Sequence, residues 1–374
     1  MSGIYLHIPF CRKACHYCNF HFSTSLHQKD QMVEAMLKEI KRKGNSEHQI
    51  ETIYFGGGTP SLLSISEFER IFNELAHKYS IEDVQEITIE CNPEDIHEEN
   101  LAAWLNLGIN RLSIGVQSLN DTELSLMNRN HDSEQSKRSV MMALNAGFNN
   151  ISLDLIYGTP WKSLKEWENE LIWALNSGIN HLSAYALTIE TKTALSHQVK
   201  KGIVPEPTDE RMTQDFKLLQ NIIKDSGWDA YEISNYSKFG FRSKHNSNYW
   251  RGKPYFGIGP SAHSFDGQNL RSWNVSNNSK YIEGEITGNP QVEYETLSDL
   301  ERVNELIMTK LRTSEGLDLR ELNTLDIKFL NSNAEFIKIA KKSGWMISNN
   351  RNLTLTNEGK LMSDYIISEL MLIH

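Results

Sequence analysis

The stretch HIPFCRKACHYCNF, residues 7–20, holds three of the four cysteines of this 374-residue chain, Cys11, Cys15 and Cys18, in a CxxxCxxC spacing. A closed structural zinc site needs four protein ligands in a tetrahedron. An iron–sulfur cube held by three thiolates leaves one iron open to a ligand that is not protein. The spacing therefore favours a [4Fe–4S] cluster.

A zinc site is the alternative, because His7, His16 or Cys91 could supply a fourth ligand. Zinc sites usually have a second ligand pair further along the chain, and no second cysteine pair exists here. Four cysteines are too few for a disulfide scaffold, and no secretory pattern precedes them. We therefore expect a reduced compartment and a cytoplasmic protein.

Composition and charge restrict the partners. With 39% hydrophobic and 23% charged residues, the chain is long enough for one large α/β domain and a smaller one. The net charge of −10 argues against nucleic acid as a partner. No stretch reaches the ~18 uninterrupted apolar residues of a membrane-spanning helix. We therefore expect any contact with a membrane to occur through docking onto a membrane protein.

Short β-branched or aromatic runs alternate with amphipathic helical segments over the first two thirds of the chain. The predicted strands are 4–8, 51–55, 86–91, 111–116, 151–157 and 181–187, and the predicted helices lie near 28–43, 66–79, 97–106, 134–146, 163–177 and 208–226. This order implies a parallel sheet with right-handed crossovers. An open sheet and a partial barrel both fit the pattern.

Polar residues at the ends of the predicted strands favour the barrel, because carboxyl ends of parallel strands meet at one mouth. The fold prediction is thus an α/β partial barrel over 1–227. An aromatic, Asn- and Gly-rich extension follows at 228–296. A helical, winged-helix-like domain with a hairpin is predicted over 297–374.

The run GGGTP at 56–60 is the second specific feature, since glycines let a backbone approach a ligand closely. A tight strand-to-helix turn explains the same run without any ligand. Glu90, Gln117, Arg129 and Asp154 could add acceptors for ammonium and ribose hydroxyl groups and a guanidinium for a carboxylate. Taken singly, each could equally be a salt-bridged scaffold residue.

The ordered motifs YLHIPFCRKACHYC, YFGGGTPS, ITIECNP, RLSIGVQS and LDLIYGTP resemble the radical S-adenosylmethionine (SAM) superfamily, in its coproporphyrinogen III oxidase-like branch. The resemblance covers about 1–270. It implies a partial (β/α)6 barrel of TIM type with a [4Fe–4S] cluster, whose open iron binds the methionine moiety of SAM. It also implies that the reduced cluster passes an electron to the sulfonium of SAM.

The resemblance assigns residues to these groups one by one. Cluster ligands would be Cys11, Cys15 and Cys18. Residues around SAM would be Tyr5, Tyr17, Gly57, Gly58, Thr59, Glu90, Gln117, Arg129 and Asp154.

Two departures separate the chain from the porphyrinogen-oxidising enzymes of that branch. Those enzymes have a further cysteine two positions after the cluster motif, and this chain has Phe20 there. They also have a long extension before the cluster motif, and here ten residues precede Cys11. Both departures resemble the HemW-type haem chaperones. So does HNSNYW at 245–250, which matches their HNxxYW haem motif.

Through this motif the resemblance implies that His245 could ligate haem iron and that Asn246 could orient a ligand or a propionate. Tyr249 and Trp250 would stack on the macrocycle. His263 is a further candidate neighbour of haem or cofactor, with its role left open. Without the resemblance, a lone histidine near aromatic residues is more often a packed core residue.

The functional expectation is therefore a haem chaperone that binds haem, a [4Fe–4S] cluster and SAM. It would deliver haem to haem-requiring respiratory proteins, membrane-bound ones included, and a homodimer is an open alternative to a monomer. An oxygen-independent coproporphyrinogen III dehydrogenase, which decarboxylates propionates by radical chemistry, is the enzymatic alternative. A zinc-stabilised structural protein is the third.

Overall fold

The computed structural model of the protein describes residues 2–45, 47–323, 329–349 and 351–372. Its strands are β1 (Ser2–Ile8), β2 (Ile50–Gly57), β3 (Glu86–Cys91), β4 (Arg111–Gln117), β5 (Ile151–Tyr157), β6 (His181–Ala186), β7 (Asn235–Ser237), β8 (Tyr255–Ile258), β9 (His263–Phe265), β10 (Leu270–Asn274), β11 (Val292–Thr296), β12 (Leu317–Asp318), β13 (Met346–Ser348) and β14 (Asn352–Leu355).

Its α-helices are α1 (Lys29–Lys43), α2 (Ile65–Lys78), α3 (Glu98–Asn106), α4 (Asp121–Leu126), α5 (Ser133–Ala146), α6 (Leu164–Asn176), α7 (Ala194–Lys200), α8 (Asp209–Asp225), α9 (Lys244–Trp250), α10 (Asn278–Thr287), α11 (Asp299–Lys310), α12 (Leu319–Asn323), α13 (Phe329–Lys342), α14 (Asn357–Leu361) and α15 (Ser363–Leu370). None of these helices is both long and apolar enough to cross a membrane.

The six predicted strands are confirmed as β1 to β6, which pair in parallel in the order of the chain. Along the chain, helices connect these successive parallel strands, as crossover connections do. Beyond β6 the sheet adds the antiparallel β7, and beyond β1 it adds β8 to β11. Among the described strands β7 and β11 are the two edges and do not pair with each other, so the barrel is partial.

Each barrel strand has one apolar face and one polar face. In β4, Leu112 and Ile114 are fully buried against the outer helices, whereas Arg111 and Ser113 face the lumen of the barrel. Parallel strands covered on both sides are normally apolar throughout. The alternation here gives the barrel a polar lumen, which holds the candidate site described below.

The sequence anticipated long helices better than short ones. The predicted helices appear as α1, α2, α3, α5, α6 and α8, with each bound within one residue of the prediction. Serine capping boxes at Ser64 and Ser163 begin α2 and α6. The short helices α4, α7 and α9 were not predicted, and the extension proved to consist mainly of further strands of the same sheet.

The C-terminal region has a small core of its own. A three-stranded antiparallel sheet, in the order β12, β14, β13, packs with α11, α13 and α15 around buried apolar residues that include Ile307, Phe329 and Ile366. The predicted hairpin is confirmed as β13 and β14. The winged-helix-like character fits this arrangement, while the boundaries at 227 and 296 stay a prediction.

A buried ion-pair network ties the loops after β4 and β5 to α4 and α6. The fully buried Lys162 Nζ lies 2.6 Å from Glu170 Oε2 and 3.1 Å from Glu123 Oε2. Ser118 Oγ, just after β4, lies 2.8 Å from a Glu170 carboxylate oxygen and 2.6 Å from a Glu123 carboxylate oxygen, so the two carboxylates share its single O–H donor. The network therefore fixes the backbone that follows Gln117 at the mouth of the barrel.

We expect Lys162→Ala to lower the free energy of unfolding by about 3–5 kcal/mol, because it leaves two carboxylates buried without their cation. The matched control is Lys137→Ala, since Lys137 pairs with Glu134 at 2.7 Å on the surface. That change should cost less than about 1 kcal/mol. Urea unfolding of both variants measures the difference, and equal losses would contradict this account of the network.

Candidate functional site

A cavity of about 390 Å³ opens at the carboxyl ends of the barrel strands and extends into the lumen. The predicted site residues that line it are Cys11, Cys15, Tyr17, Cys18, Gly57, Gly58, Thr59, Glu90, Gln117, Arg129, Asp154 and Asn246. The structure thus brings the cluster cysteines, most of the predicted SAM residues and one residue of the HNSNYW motif to a single cavity. Tyr5, His245, Tyr249 and Trp250 lie outside its lining.

The loop carrying the cysteines is irregular but anchored to its surroundings. His16 Nδ1 contacts the Leu126 carbonyl oxygen at 2.8 Å, and Asn128 Nδ2 donates to the Ala14 carbonyl at 2.7 Å. On the other side, Arg12 Nη2 pairs with the buried Asp95 carboxylate at 2.8 Å. The loop is therefore held in place by the chain around α4 and by the segment that follows β3.

The three cysteines face the cavity as separate thiols. Burial raises the pKa of the Cys11 thiol to about 11 and also raises the pKa of Cys18, and the neighbouring thiols add to both effects. Among the described residues, no three His, Cys, Asp or Glu side chains are close enough to hold a single metal ion. The three thiols therefore suit a metal group larger than a single ion. Binding of such a group would stabilise the thiolate forms that burial disfavours.

The structure gives the zinc alternative no fourth ligand. His7 has both ring nitrogens in contact with other groups, Nδ1 with the Tyr5 hydroxyl at 3.2 Å and Nε2 with the His21 carbonyl oxygen at 2.8 Å. Cys91 is buried in β3, where its thiol donates to the Ser113 carbonyl at 3.7 Å. His16, the third candidate, has its Nδ1 2.8 Å from the Leu126 carbonyl oxygen. A closed site of four protein ligands is therefore absent from the described residues.

Arg129 is the cationic side chain nearest the thiols. Its Nη1 donates to Cys15 Sγ at 3.2 Å, and its Nη2 donates to Asn92 Oδ1 at 2.7 Å and to the Gly115 carbonyl at 2.8 Å. Burial works against its charge, but Tyr17 and Cys15 outweigh burial and raise the pKa of Arg129. Its Nε has no partner, which leaves one donor for a ligand.

The triglycine run allows β2 to pass beneath the cysteine loop. A Cβ at Gly58 would lie 2.6 Å from the Phe10 carbonyl oxygen, and one at Gly57, whose φ is +108°, would lie 2.6 Å from the His7 ring. A side chain at Gly58 would clash with the backbone just before Cys11, and one at Gly57 would clash with His7 of β1. The glycines are thus required by packing, and they also form part of the cavity wall.

Two carboxylates lie inside the lumen. Glu90 accepts hydrogen bonds from the Tyr54 hydroxyl at 2.8 Å and from the Gly57 N–H at 3.0 Å, and Asp154 accepts from Ser113 Oγ at 3.3 Å. Burial raises the pKa of Glu90 to about 7, with a further contribution from Asp154. Burial raises the pKa of Asp154 as well. Both carboxylates would gain from a cationic ligand group.

The HNSNYW motif forms α9, which closes the lower end of the lumen. His245 is 2% exposed, with Nδ1 2.8 Å from Thr52 Oγ1 and Nε2 2.8 Å from the Tyr249 hydroxyl oxygen. Burial lowers the pKa of His245 to about 3, so its ring is neutral. Asn246 faces the lumen, whereas Trp250 lines a second cavity of about 250 Å³. The structure does not bring the four motif residues to one surface.

Two predicted neighbours lie apart from the cavity. The Tyr5 hydroxyl contacts His7, and its ring packs 6.1 Å from the Tyr54 ring, behind the cavity wall. His263 is exposed and stacks on Trp273, with 5.5 Å between the ring centroids. Neither residue contacts the cavity in this structure.

Sequence reasoning missed several residues of the cavity wall: Tyr54, Arg111, Ser113, Ser183 and Tyr185. All five stand on the polar face of a barrel strand. The signal was present in the alternation of polar and apolar residues along β2, β4 and β6, which predicts a solvated face.

Comparison with known proteins agrees with this architecture. Residues 5–173 match the family model described as the Radical SAM superfamily. The chain is 33% identical over 334 residues to a Synechocystis protein named Heme chaperone HemW, covering 87% of this chain and 81% of that protein. It is 31% identical over 378 residues to the Heme chaperone HemW of Bacillus subtilis, covering 98% of each.

Among solved structures, the coproporphyrinogen III oxidase HemN of Escherichia coli matches with a TM-score of 0.85. The match covers 99% of this chain and 90% of that chain, at 22% identity. It shows a shared fold.

We expect Cys11→Ser, Cys15→Ser and Cys18→Ser each to lower the iron content of anaerobically reconstituted protein from about four per chain to well below one. The matched control is Cys91→Ser, which changes the one cysteine outside the motif. Iron and sulfide analysis makes the comparison. If Cys91→Ser alone abolished iron binding, the assignment of the ligands would be wrong.

We expect Glu90→Gln to raise the free energy of unfolding at pH 8 by about 1–3 kcal/mol and to leave it nearly unchanged at pH 4. The pKa of Glu90 is higher in the fold than its usual 4.5, so the native state favours the protonated form and loses stability as pH rises through about 4.5 to 7. Glutamine imitates the protonated form at every pH. Urea unfolding of cluster-free protein at both pH values measures this, and a gain that is equal at both would contradict it.

Proposed function

The chain belongs to the radical SAM superfamily and, within it, to the HemW family, and we propose that it is a haem chaperone. The observation that carries the proposal is its identity of 31–33% to proteins named Heme chaperone HemW over most of both chains. The HNSNYW motif on α9 and Phe20 in place of a further cysteine support the same assignment.

In this proposal the cavity holds the two groups that its family implies. Cys11, Cys15 and Cys18 would hold a [4Fe–4S] cluster, which supplies an electron to bound SAM. Arg129 Nε remains as a free donor beside the thiols. Glu90 would accept from the ammonium group of SAM, Gln117 and Asp154 would hold its remainder, and Gly57, Gly58, Thr59 and Tyr17 would form the wall around it.

Haem would bind at α9. A neutral imidazole is the form that ligates iron, and the low pKa of His245 provides it. Because both ring nitrogens of His245 have partners, ligation requires the contact with Thr52 or with Tyr249 to open. Trp250 lines the second cavity together with Arg251, where a propionate would find a donor.

Haem bound in this way would be passed to haem-requiring proteins. We extend the proposal to respiratory acceptors, including membrane-bound ones. Coproporphyrinogen III dehydrogenation remains the alternative, and the likeness to HemN concerns the fold alone.

We expect purified protein to bind haem with a shifted Soret band and His245→Ala to weaken binding on the order of tenfold or more, because an axial ligand is lost. His263→Ala is the matched control, since His263 is exposed and outside the motif. Absorbance titration measures both.

Two results would contradict the proposal: no Soret shift in the unmodified protein, or His245→Ala and His263→Ala with equal affinity. Anaerobic conversion of coproporphyrinogen III to protoporphyrinogen IX with SAM would favour the enzymatic alternative instead.

A further inference from the structure

Arg111, the first residue of β4, is a buried cation without a hydrogen-bonded partner. It is 1% exposed and lines the cavity described above. Its Nε and Nη1 are buried and have no hydrogen-bond acceptor. Among the described residues no carboxylate oxygen lies within 4 Å of it, so it forms no salt bridge. A buried charge in this state is costly unless something else pairs with it.

The nearby carboxylates are engaged with other donors. Glu90 accepts from the Tyr54 hydroxyl and the Gly57 N–H, and Asp154 accepts from Ser113. Arg111 is close enough to lower the pKa values of Glu90 and Asp154, but burial dominates and leaves both raised. The arginine therefore keeps its N–H groups for an anion that is not part of the chain.

Two other arginines with buried nitrogens show what a structural role looks like in this protein. Arg211 Nε donates to the buried Asp215 carboxylate at 2.9 Å, and Arg129 uses two of its nitrogens on Cys15, Asn92 and Gly115. Arg111 forms no such contacts. Its position at the amino end of β4 places it deep in the lumen, on the same cavity wall as Asn246.

We propose that Arg111 is a binding residue for a carboxylate group of a ligand that enters the lumen. A guanidinium presents paired N–H donors that match a carboxylate in two parallel hydrogen bonds. A propionate of haem would supply that group, so the inference rests on the proposed function. The cavity wall around Arg111 adds a tyrosine, a serine and an asparagine as further polar contacts.

The test compares ligands that differ only in the carboxylate. Anaerobically reconstituted protein is titrated with haem and with haem dimethyl ester. We expect haem to bind about tenfold to a hundredfold more tightly than its dimethyl ester. In Arg111→Met that ratio should fall to about one, and in Arg111→Lys, which keeps the charge without the paired donors, part of it should remain.

Melting of the ligand-free protein separates this role from a structural one. Arg111→Met should leave the melting temperature unchanged or higher, since it removes an unpaired buried charge. Arg211→Met is the matched control and should lower it by several degrees, because it strands Asp215. If Arg111→Met does not fold, the ratio in Arg111→Lys decides the matter.

The outcomes are distinct. A ratio that collapses in Arg111→Met assigns Arg111 to a propionate. If the unmodified protein binds no haem, the proposed function itself fails. If it binds haem and the ratio survives in both Arg111 variants, the inference alone is overturned.

Discussion

The constraint on which the structure depends is that one face of each barrel strand is polar and lies inside the barrel. Buried polar groups need partners, and here several find them on a neighbouring strand or on α9: Tyr54 with Glu90, Ser113 with Asp154 and Thr52 with His245. These contacts fix which acceptors and donors remain for a ligand. The lumen is therefore a site with a defined chemistry, and the three thiols stand at its open end.

The mouth and the floor of the lumen are built differently. At the mouth, an irregular loop carries the cysteines and depends on contacts such as Asn128 to Ala14 and Arg12 to Asp95. At the floor, α9 is fixed by Glu86, which accepts hydrogen bonds from the N–H groups of Lys244 and His245 at its first turn. A ligand that spans the lumen would contact both ends.

Prediction from the sequence succeeded where a single short segment determines the local structure. The three cysteines lie at one cavity, as their spacing implies, and their role as cluster ligands stays a prediction. The strands of the barrel were predicted correctly because β-branched runs are local signals. The arrangement of HNSNYW was not, because it depends on α9. In a helix, His245 and Tyr249 share one face and Asn246 and Trp250 share another, so the motif points in two directions. Arg111 was overlooked because its lack of a partner is a property of the fold.

The central claim is that the three thiols hold a cluster whose open iron is reached from the polar lumen. The most direct measurement is electron paramagnetic resonance of the reduced, reconstituted protein before and after SAM is added. We predict a cluster signal whose g-values shift when SAM binds, since a non-protein ligand then occupies the open iron. A cluster signal that SAM leaves unchanged, or no cluster signal at all, would contradict the account.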